Sequence, residues 1–327
     1  MILVTGAAGF IGSNLVAALE VAGAEVAACD YPDDPEKEKN LAKRRLAARV
    51  APEELTRFLA DNKGGIEAVY HMGAISSTTE TDVDLLVRVN FGLSLQLWDW
   101  CTEAEVPFLY ASSAATYGDG AQGFDDDGSL AALQRLTPLN AYGWSKHLFD
   151  MQVARLIADG EPVPPRWAGL KFFNVYGPNE YHKGAQQSVV PQIHARAAKG
   201  EPARLFKSHN PDYPDGGQMR DFIWVDDCVD VMTWLGGADG ASGLYNVGTG
   251  KARSFADLAT AVFRALGRNA EIEYVPTPEA IRDKYQYFTE ARMERLAAAG
   301  YAKPFTALED GVAAYVTGYL ATDDPYR

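Results

Sequence analysis

Cysteine is scarce in this chain: Cys29, Cys101 and Cys228 are its only thiols in 327 residues. Odd in number and widely separated, they match neither a disulfide framework nor a metal knuckle, and they point to a reducing compartment. Long apolar runs are lacking too, since none approaches the roughly 18 residues that a membrane span needs. No basic excess exists. The net charge of −14 argues against nucleic acid as a partner, and it means that any phosphate ligand must be held by particular Lys, Arg and helix N-termini. No internal repeat, low-complexity tract or Cys/His cluster with zinc spacing is present. The start, Met1-Ile2-Leu3-Val4-Thr5, runs straight into a strand with no charged leader or cleavage site, so a soluble cytoplasmic protein is expected.

What is there is strand–helix alternation. Met1 to Thr5, Glu25 to Asp30, Ala68 to Met72, Phe108 to Ser112 and Leu170 to Val175 read as buried parallel strands. Helix-length segments lie between them, among them Ile11 to Glu20 and Asp82 to Cys101. This pattern implies an α/β protein built on a doubly wound parallel sheet. Strand-like runs recur at Asp221 to Val225 and Leu244 to Val247, and Ser208 to Gly217 reads as an exposed loop. The expected division is therefore interleaved: 1–173 plus about 221–250 in one domain, about 174–220 and 251–327 in a smaller mixed α/β domain. Trp98 and Trp100 read as core or interface packing, Asp125-Asp126-Asp127 as a solvated turn, and Leu308 to Leu320 as a terminal helix.

Gly6, Gly9 and Gly12 are spaced G-x-x-G-x-x-G between the first strand and the first helix. Missing side chains there permit a tight turn and let a pyrophosphate approach the helix N-terminus. Asp30, at the end of the second strand, is placed to accept from ribose hydroxyls. A carboxylate at that point favours NAD, yet Lys37, Lys39, Lys43, Arg44, Arg45 and Arg49 follow, so NADP stays open as the alternative.

Tyr142 and Lys146 stand at i and i+4, hence on one helical face. A phenol titrates near 10, and an ammonium about 4 Å away contributes about 4 kcal/mol, or about three pK units, towards ionising it. Ser113 follows a buried strand and is placed to hydrogen-bond the oxygen that loses its proton. Together with the glycine turn, these residues point to hydride transfer at a carbinol. His71 reads as a strand-end residue bonded to backbone.

At this point the sequence resembles the extended short-chain dehydrogenase/reductase superfamily, which has a Rossmann sheet. Within it, the chain is similar to the epimerases of ADP-linked heptoses that serve lipopolysaccharide precursor synthesis. The resemblance rests on Val4 to Asn14, His71 to Glu80, Phe108 to Gly118, Phe173 to Pro178, His182-Lys183-Gly184, Arg220-Asp221-Phe222 and Tyr285-Gln286. It implies oxidation of the sixth carbon to a ketone and return of hydride to the other face, with Tyr142 and Lys183 as the two acid/base groups. For a tightly bound NAD or NADP, one per subunit, it implies Phe10, Ile11, Asp30, Tyr31, Lys37, Met72, Gly73, Ala74, Ile75, Ser76, Asn90, Lys146, Val175 and Lys183. For the nucleotide-sugar it implies Asn174, Ala185, Gln192, Phe206, Lys207, Ser208, His209, Arg220 and Tyr285. Arg220 would clamp the pyrophosphate, its plain alternative being an ion pair with Asp221. Ala185 and Gln192 depart from the serine and histidine common in relatives, and Pro52 stands where some carry a phosphate-binding lysine. Relatives also form homo-oligomers. The competing readings are a UDP-sugar epimerase, a sugar-nucleotide dehydratase and a non-catalytic dinucleotide sensor.

Overall fold

Apolar strands with no polar face need helices on both sides, and the fold supplies them. The structure, a computed structural model, describes residues 1–238, 240–282 and 285–327. β1 (Ile2–Thr5), β2 (Val26–Cys29), β3 (Ala48–Val50), β4 (Ala68–His71), β5 (Phe108–Ser113), β6 (Trp167–Phe172) and β10 (Gly243–Val247) form one parallel sheet in the order β10-β6-β5-β4-β1-β2-β3. Successive residues of a strand serve opposite layers. Leu3, Val69 and Phe108 join the core beneath α2 (Leu93–Glu103) and α3 (Ala141–Ala158). Val4, Tyr70 and Leu109 join the core that includes Leu15 of α1 (Phe10–Val21) and Met232 of the helix Val225–Gly236. This is the doubly wound arrangement expected. β3 went unread because it is three residues long and alternates a half-buried Ala48 with an exposed Arg49.

The second half builds two small sheets. β7 (Asn174–Tyr176) pairs in parallel with β9 (Met219–Trp224), which pairs antiparallel with β11 (Ala252–Ser254); β8 (Ala203–Phe206) pairs in parallel with β12 (Ile272–Val275). α4 (Val189–Ala197), α6 (Phe255–Ala265) and α7 (Leu308–Tyr315) close over them, around Val190, Leu205, Phe222, Leu258 and Val312. α6 starts with a capping box in which Ser254 and Asp257 satisfy each other's backbone N–H. The intervening helix Val225–Gly236, α5, returns the chain to the large sheet.

Three expectations need correction. Leu170 to Val175 is two strands in different sheets, because Phe173 donates to Val247 while Val175 donates back to Phe173, a three-residue turn. Asp82 to Cys101 contains a π-helical turn at Val87–Gly92 ahead of α2, a feature that recurs at functional sites. The Asp125–Asp127 segment is not simply solvated: Asp126 is buried, accepts from the Asn246 amide at 2.8 Å, and is pushed by burial up to about 6.

Trp98 is 1% exposed, with edge contacts to Phe108, Phe149 and Trp167. No helix among the described residues is long and apolar enough to cross a membrane. Trp98→Ala is expected to lower unfolding free energy by about 3–5 kcal/mol, measured by urea denaturation; a change below about 1 kcal/mol would contradict this packing.

Candidate active site

Strand order reverses between β1 and β4, and in open α/β sheets ligands bind at the carboxyl ends beside such a reversal. The glycine turn occupies that position. Gly6 has φ +62°, and a Cβ on it would lie 2.5 Å from the Gly73 nitrogen; one on Gly12 would lie 2.1 Å from the Gly6 oxygen. Side chains are therefore excluded where the two strand ends and α1 converge. α1 begins at Gly9 with no side-chain cap, leaving its first N–H groups and positive end for an anion. Asp30 accepts from the Ala8 amide at 2.9 Å and the Tyr31 amide at 2.9 Å, and Lys37 donates to it at 3.3 Å.

A cleft of about 1220 Å³ opens here, more than the ~300–1,000 Å³ of common ligand sites. Gly6, Gly9, Phe10, Ile11, Gly12, Asp30, Tyr31, Lys37, Met72, Gly73, Ala74, Ile75, Ser76 and Val175 line it, as do Ser113, Tyr142, Lys146, Asn174 and Lys183. Asn90 does not. It is fully buried behind the wall, where it donates to Ile75 oxygen at 2.9 Å and accepts from the Ile75 amide at 2.8 Å.

Asn90 belongs to a chain of buried hydrogen bonds with one polarity. Ser94 donates to Asn90 oxygen at 2.7 Å, so it must accept from His71 Nε2–H at 2.9 Å. His71 Nδ1 then accepts from Thr5 hydroxyl at 2.6 Å, and Thr5 accepts from the Gly73 amide at 3.2 Å. Onwards, Asn90 Nδ2 donates to Ser145 Oγ at 2.9 Å and Ser145 donates to Tyr142 oxygen at 2.7 Å. The chain runs from the Gly73 turn to the Tyr142 backbone, crossing Asn90 covalently from the backbone carbonyl that Ser94 reaches to the side-chain amide that donates to Ser145. His71 thus bonds side chains rather than backbone, a correction to the sequence expectation. Burial, aided by Lys146, pulls it down to about 3 and keeps it neutral.

Tyr142 and Lys146 lie in the first two turns of α3, which Asn140 caps by accepting from Gly143 at 2.8 Å. The expected acidification of the phenol by Lys146 is not found. Burial pushes Tyr142 up, and the Ser113 side chain offsets part of that rise. Lys146 is pulled down by burial to about 8, with Asp150 opposing. Desolvation outweighs the groups that favour each charged form, the Ser113 side chain for Tyr142 and Asp150 for Lys146. Ser113 accepts from the Ala115 amide at 3.1 Å.

Lys183 sits half-buried on the turn Tyr181–Gln186, 5.6 Å from the Phe10 ring centroid. Burial pulls its ammonium below the ordinary value, as a lysine base requires, while nearby Glu180 opposes. Sequence reasoning missed Glu180, a buried cleft residue that accepts from Ser188 hydroxyl at 2.8 Å and Tyr315 at 3.1 Å. Its place beside the His-Lys-Gly segment was the available signal. Gln186 donates to Ser77 at 2.7 Å, joining the second-half turn to the loop after β4.

The remaining residues expected around a sugar nucleotide do not line this cleft. Arg220 packs 5.7 Å from Phe255, a cleft residue, and 5.4 Å from Tyr285, whose ring lies 6.2 Å from Phe206. The alternative of an Arg220–Asp221 ion pair is excluded, because Asp221 is saturated by Thr249, Gly250 and Ala291. Lys207 and His209 are exposed and Ser208 half-buried on the loop after β8. Ala185 is exposed near Lys183, and the exposed Gln192 bonds the Gln187 and Ser188 oxygens just ahead of its own helix.

Fold and cleft together define a dinucleotide-dependent α/β enzyme. The chain belongs to the NAD dependent epimerase/dehydratase family, whose model matches residues 2–248. It is 50% identical over 329 residues, the full length of both chains, to an ADP-L-glycero-D-manno-heptose-6-epimerase of Nitratidesulfovibrio vulgaris. Its fold matches the crystal structure of the Helicobacter pylori protein of that name at TM-score 0.77 and 26% identity, covering 97% of this chain and 95% of that one. A Thermus thermophilus UDP-glucose 4-epimerase in complex with NAD matches at TM-score 0.71 and 26% identity, covering 95% and 96%.

Lys146 falls from 10.5 to about 8 on folding, so the unfolded chain binds more protons between those pH values. Its burial therefore opposes stability in full below pH 8 and is relieved as pH rises towards 10.5. Lys146→Met is expected to melt at a higher temperature than the parent at pH 7, with the difference shrinking by pH 10. A lower midpoint at pH 7 would show that Lys146 is not held against its preference.

Proposed function

We propose that this chain epimerises the sixth carbon of an ADP-linked glycero-manno-heptose, an activity that serves lipopolysaccharide precursor synthesis. The carrying observation is that Ser113, Tyr142 and Lys146 share one cleft with Lys183, which comes from a separate segment. Inversion through a ketone needs an acid/base group for each epimer, and the cleft offers two. Tyr142 takes the hydroxyl proton of one epimer while Ser113 holds the same oxygen. Lys146 stabilises the phenolate that results. Lys183, its proton loosened by burial, exchanges a proton with the oxygen of the other epimer. The full-length relatives named for this reaction support the substrate.

The pyrophosphate of the dinucleotide would lie on Gly6, Gly9, Gly12 and the uncapped start of α1, with its ribose on Asp30. When bound there, the nicotinamide would supply the reversible hydride acceptor, so the conversion would carry no net redox change. The residues favour NAD over NADP. Asp30 and Glu53 both line the cleft, and Lys39, Lys43, Arg44 and Arg49 are engaged by Glu36, Asp324, Glu20 and Glu38. Only Lys37 of that basic run reaches the cleft. At the sugar-nucleotide end, Arg220 has no carboxylate within ion-pair distance among the described residues and is gripped by two rings. A forked, permanent cation so placed suits a diphosphate. Segments 174–220 and 251–327 supply this end, with Asn174, Phe206, Lys207, Ser208, His209 and Tyr285 nearest the substrate and Ala185 and Gln192 at its margin.

Val83, Val87, Leu139, Trp144 and Leu148 are exposed apolar residues on or beside the packed Val83–Gly92 segment and α3. We assign this ridge to a homo-oligomer contact. All three cysteines are free and buried, in keeping with a cytoplasmic location, which cell fractionation checks.

Incubation with the heptose substrate and no added cofactor should interconvert the epimers, followed by NMR, without accumulating reduced nicotinamide. Tyr142→Phe and Lys183→Met should each slow this about 10²–10⁴-fold with dinucleotide still bound. An inert parent enzyme carrying dinucleotide would overturn the substrate assignment. For the ridge, Trp144→Glu/Leu148→Glu should reduce the mass in light scattering; an unchanged mass removes the assigned contact.

A further inference from the structure

Lys171 is the next-to-last residue of β6, an apolar strand covered on both faces, where an ammonium must be paired. It is fully buried, 3.4 Å from the equally buried Asp150 carboxylate, and 4.4 Å from the centroid of the Tyr117 ring. It donates to Thr116 hydroxyl at 2.7 Å, and Thr116 donates to the Ser113 carbonyl at 2.7 Å. Asp150 accepts from Ser112 at 2.7 Å and from Tyr110 at 3.1 Å. Asp150, Lys171 and Thr116 do not line the cleft.

Position along α3 gives the pair its meaning. Tyr142, Lys146 and Asp150 follow one another at intervals of four, so one stripe of the helix carries the phenol, the ammonium and the anchoring carboxylate. The carboxylate binds two residues of β5, and its lysine partner reaches, through Thr116, the backbone of the residue that ends β5. As a source of stability a buried ion pair is weak, because apolar residues of similar volume often serve as well. What apolar residues lack is direction.

From this geometry we propose that the Asp150–Lys171 pair is a positioning device: it locks α3 against the end of β5 so that the Tyr142 and Ser113 hydroxyls converge on one substrate oxygen. The proposal rests on the reading of those two residues given above. Neither Asp150 nor Lys171 touches the reacting atoms; they act through the elements they join.

The test uses Asp150→Asn/Lys171→Met, because either charge removed alone leaves the other buried and unpaired, which threatens folding. Folding is followed by circular dichroism, loading by bound dinucleotide, and turnover with ADP-glycero-manno-heptose. The double variant should fold, stay loaded and keep KM within about threefold, while kcat falls about 10–100-fold, the scale of a 1 Å misplacement. Lys171→Arg, which keeps a cation able to donate to Thr116, should restore most of kcat. Parent-like kcat in the double variant overturns the proposal, as does a fall accounted for by lost folded or loaded protein. Should the parent be inert towards the heptose, the substrate assignment fails and the positioning claim is read without substrate. A crystal structure of the double variant should then show the Tyr142 and Ser113 hydroxyl oxygens about 1 Å or more further apart than in the parent. An unchanged separation overturns it.

Discussion

The buried hydrogen-bond chain from Gly73 to Tyr142 is the constraint on which the cleft depends. Each hydroxyl in it donates once and accepts once, and the neutral His71 ring passes the polarity through. Fully satisfied buried networks fix geometry, and a missing member leaves a partner unpaired at the full cost of desolvation. The chain ties the turn after β4, the π-helical segment and the start of α3 into one wall. The glycine turn at β1 packs against that wall so closely that a methyl group on Gly6 would not fit. Position of the dinucleotide turn and position of the phenol are therefore one property of the fold.

Charge is handled in the opposite spirit. Lys146, Lys171 and Lys183 are all drawn down by burial, and each has a carboxylate nearby: Asp150 for the first two, Glu180 for the third. The carboxylates are largely occupied by hydroxyl and amide donors, so they temper the ammonium groups without neutralising Lys146 or Lys183 in an ion pair. A site of this kind stores free energy that an apolar interior would not. It is a local departure from the stability optimum of the sort that activity demands.

Much of this was legible in the residue order. Apolar runs marked the central strands because strands covered on both faces carry little else, and the glycine turn with Asp30 located the switch point. Tyr142 and Lys146 were found from helical spacing taken together with the glycine turn and the Ser113 strand end. Their ionisation was not, because its sign depends on burial by β4, β5 and the π-helical segment, none of which lies near them in sequence. Lys171 was passed over inside an apolar run, although a lysine there demands a partner; that partner, Asp150, sits on a preceding helix that no local pattern links to β6. Arg220, Phe206 and Tyr285 come from distant segments, two of them on separate small sheets, and meet only in the folded chain. Phe173 broke an apparently continuous strand through a single turn that hydropathy does not register.

The hydrogen bond between Ser77 and Gln186 fastens one rim of the cleft to the other. Under the proposed epimerisation, a nicotinamide retained in the cleft would not be traded with the surroundings at every cycle. The catalyst would then behave as a sealed circuit whose speed follows the concentrations of the two sugar epimers and is insulated from the cell's balance of oxidised and reduced dinucleotide. Leakage of a half-converted sugar would strand the circuit in its reduced form. Retention of the ketone is therefore as much a condition of sustained activity as the chemistry itself.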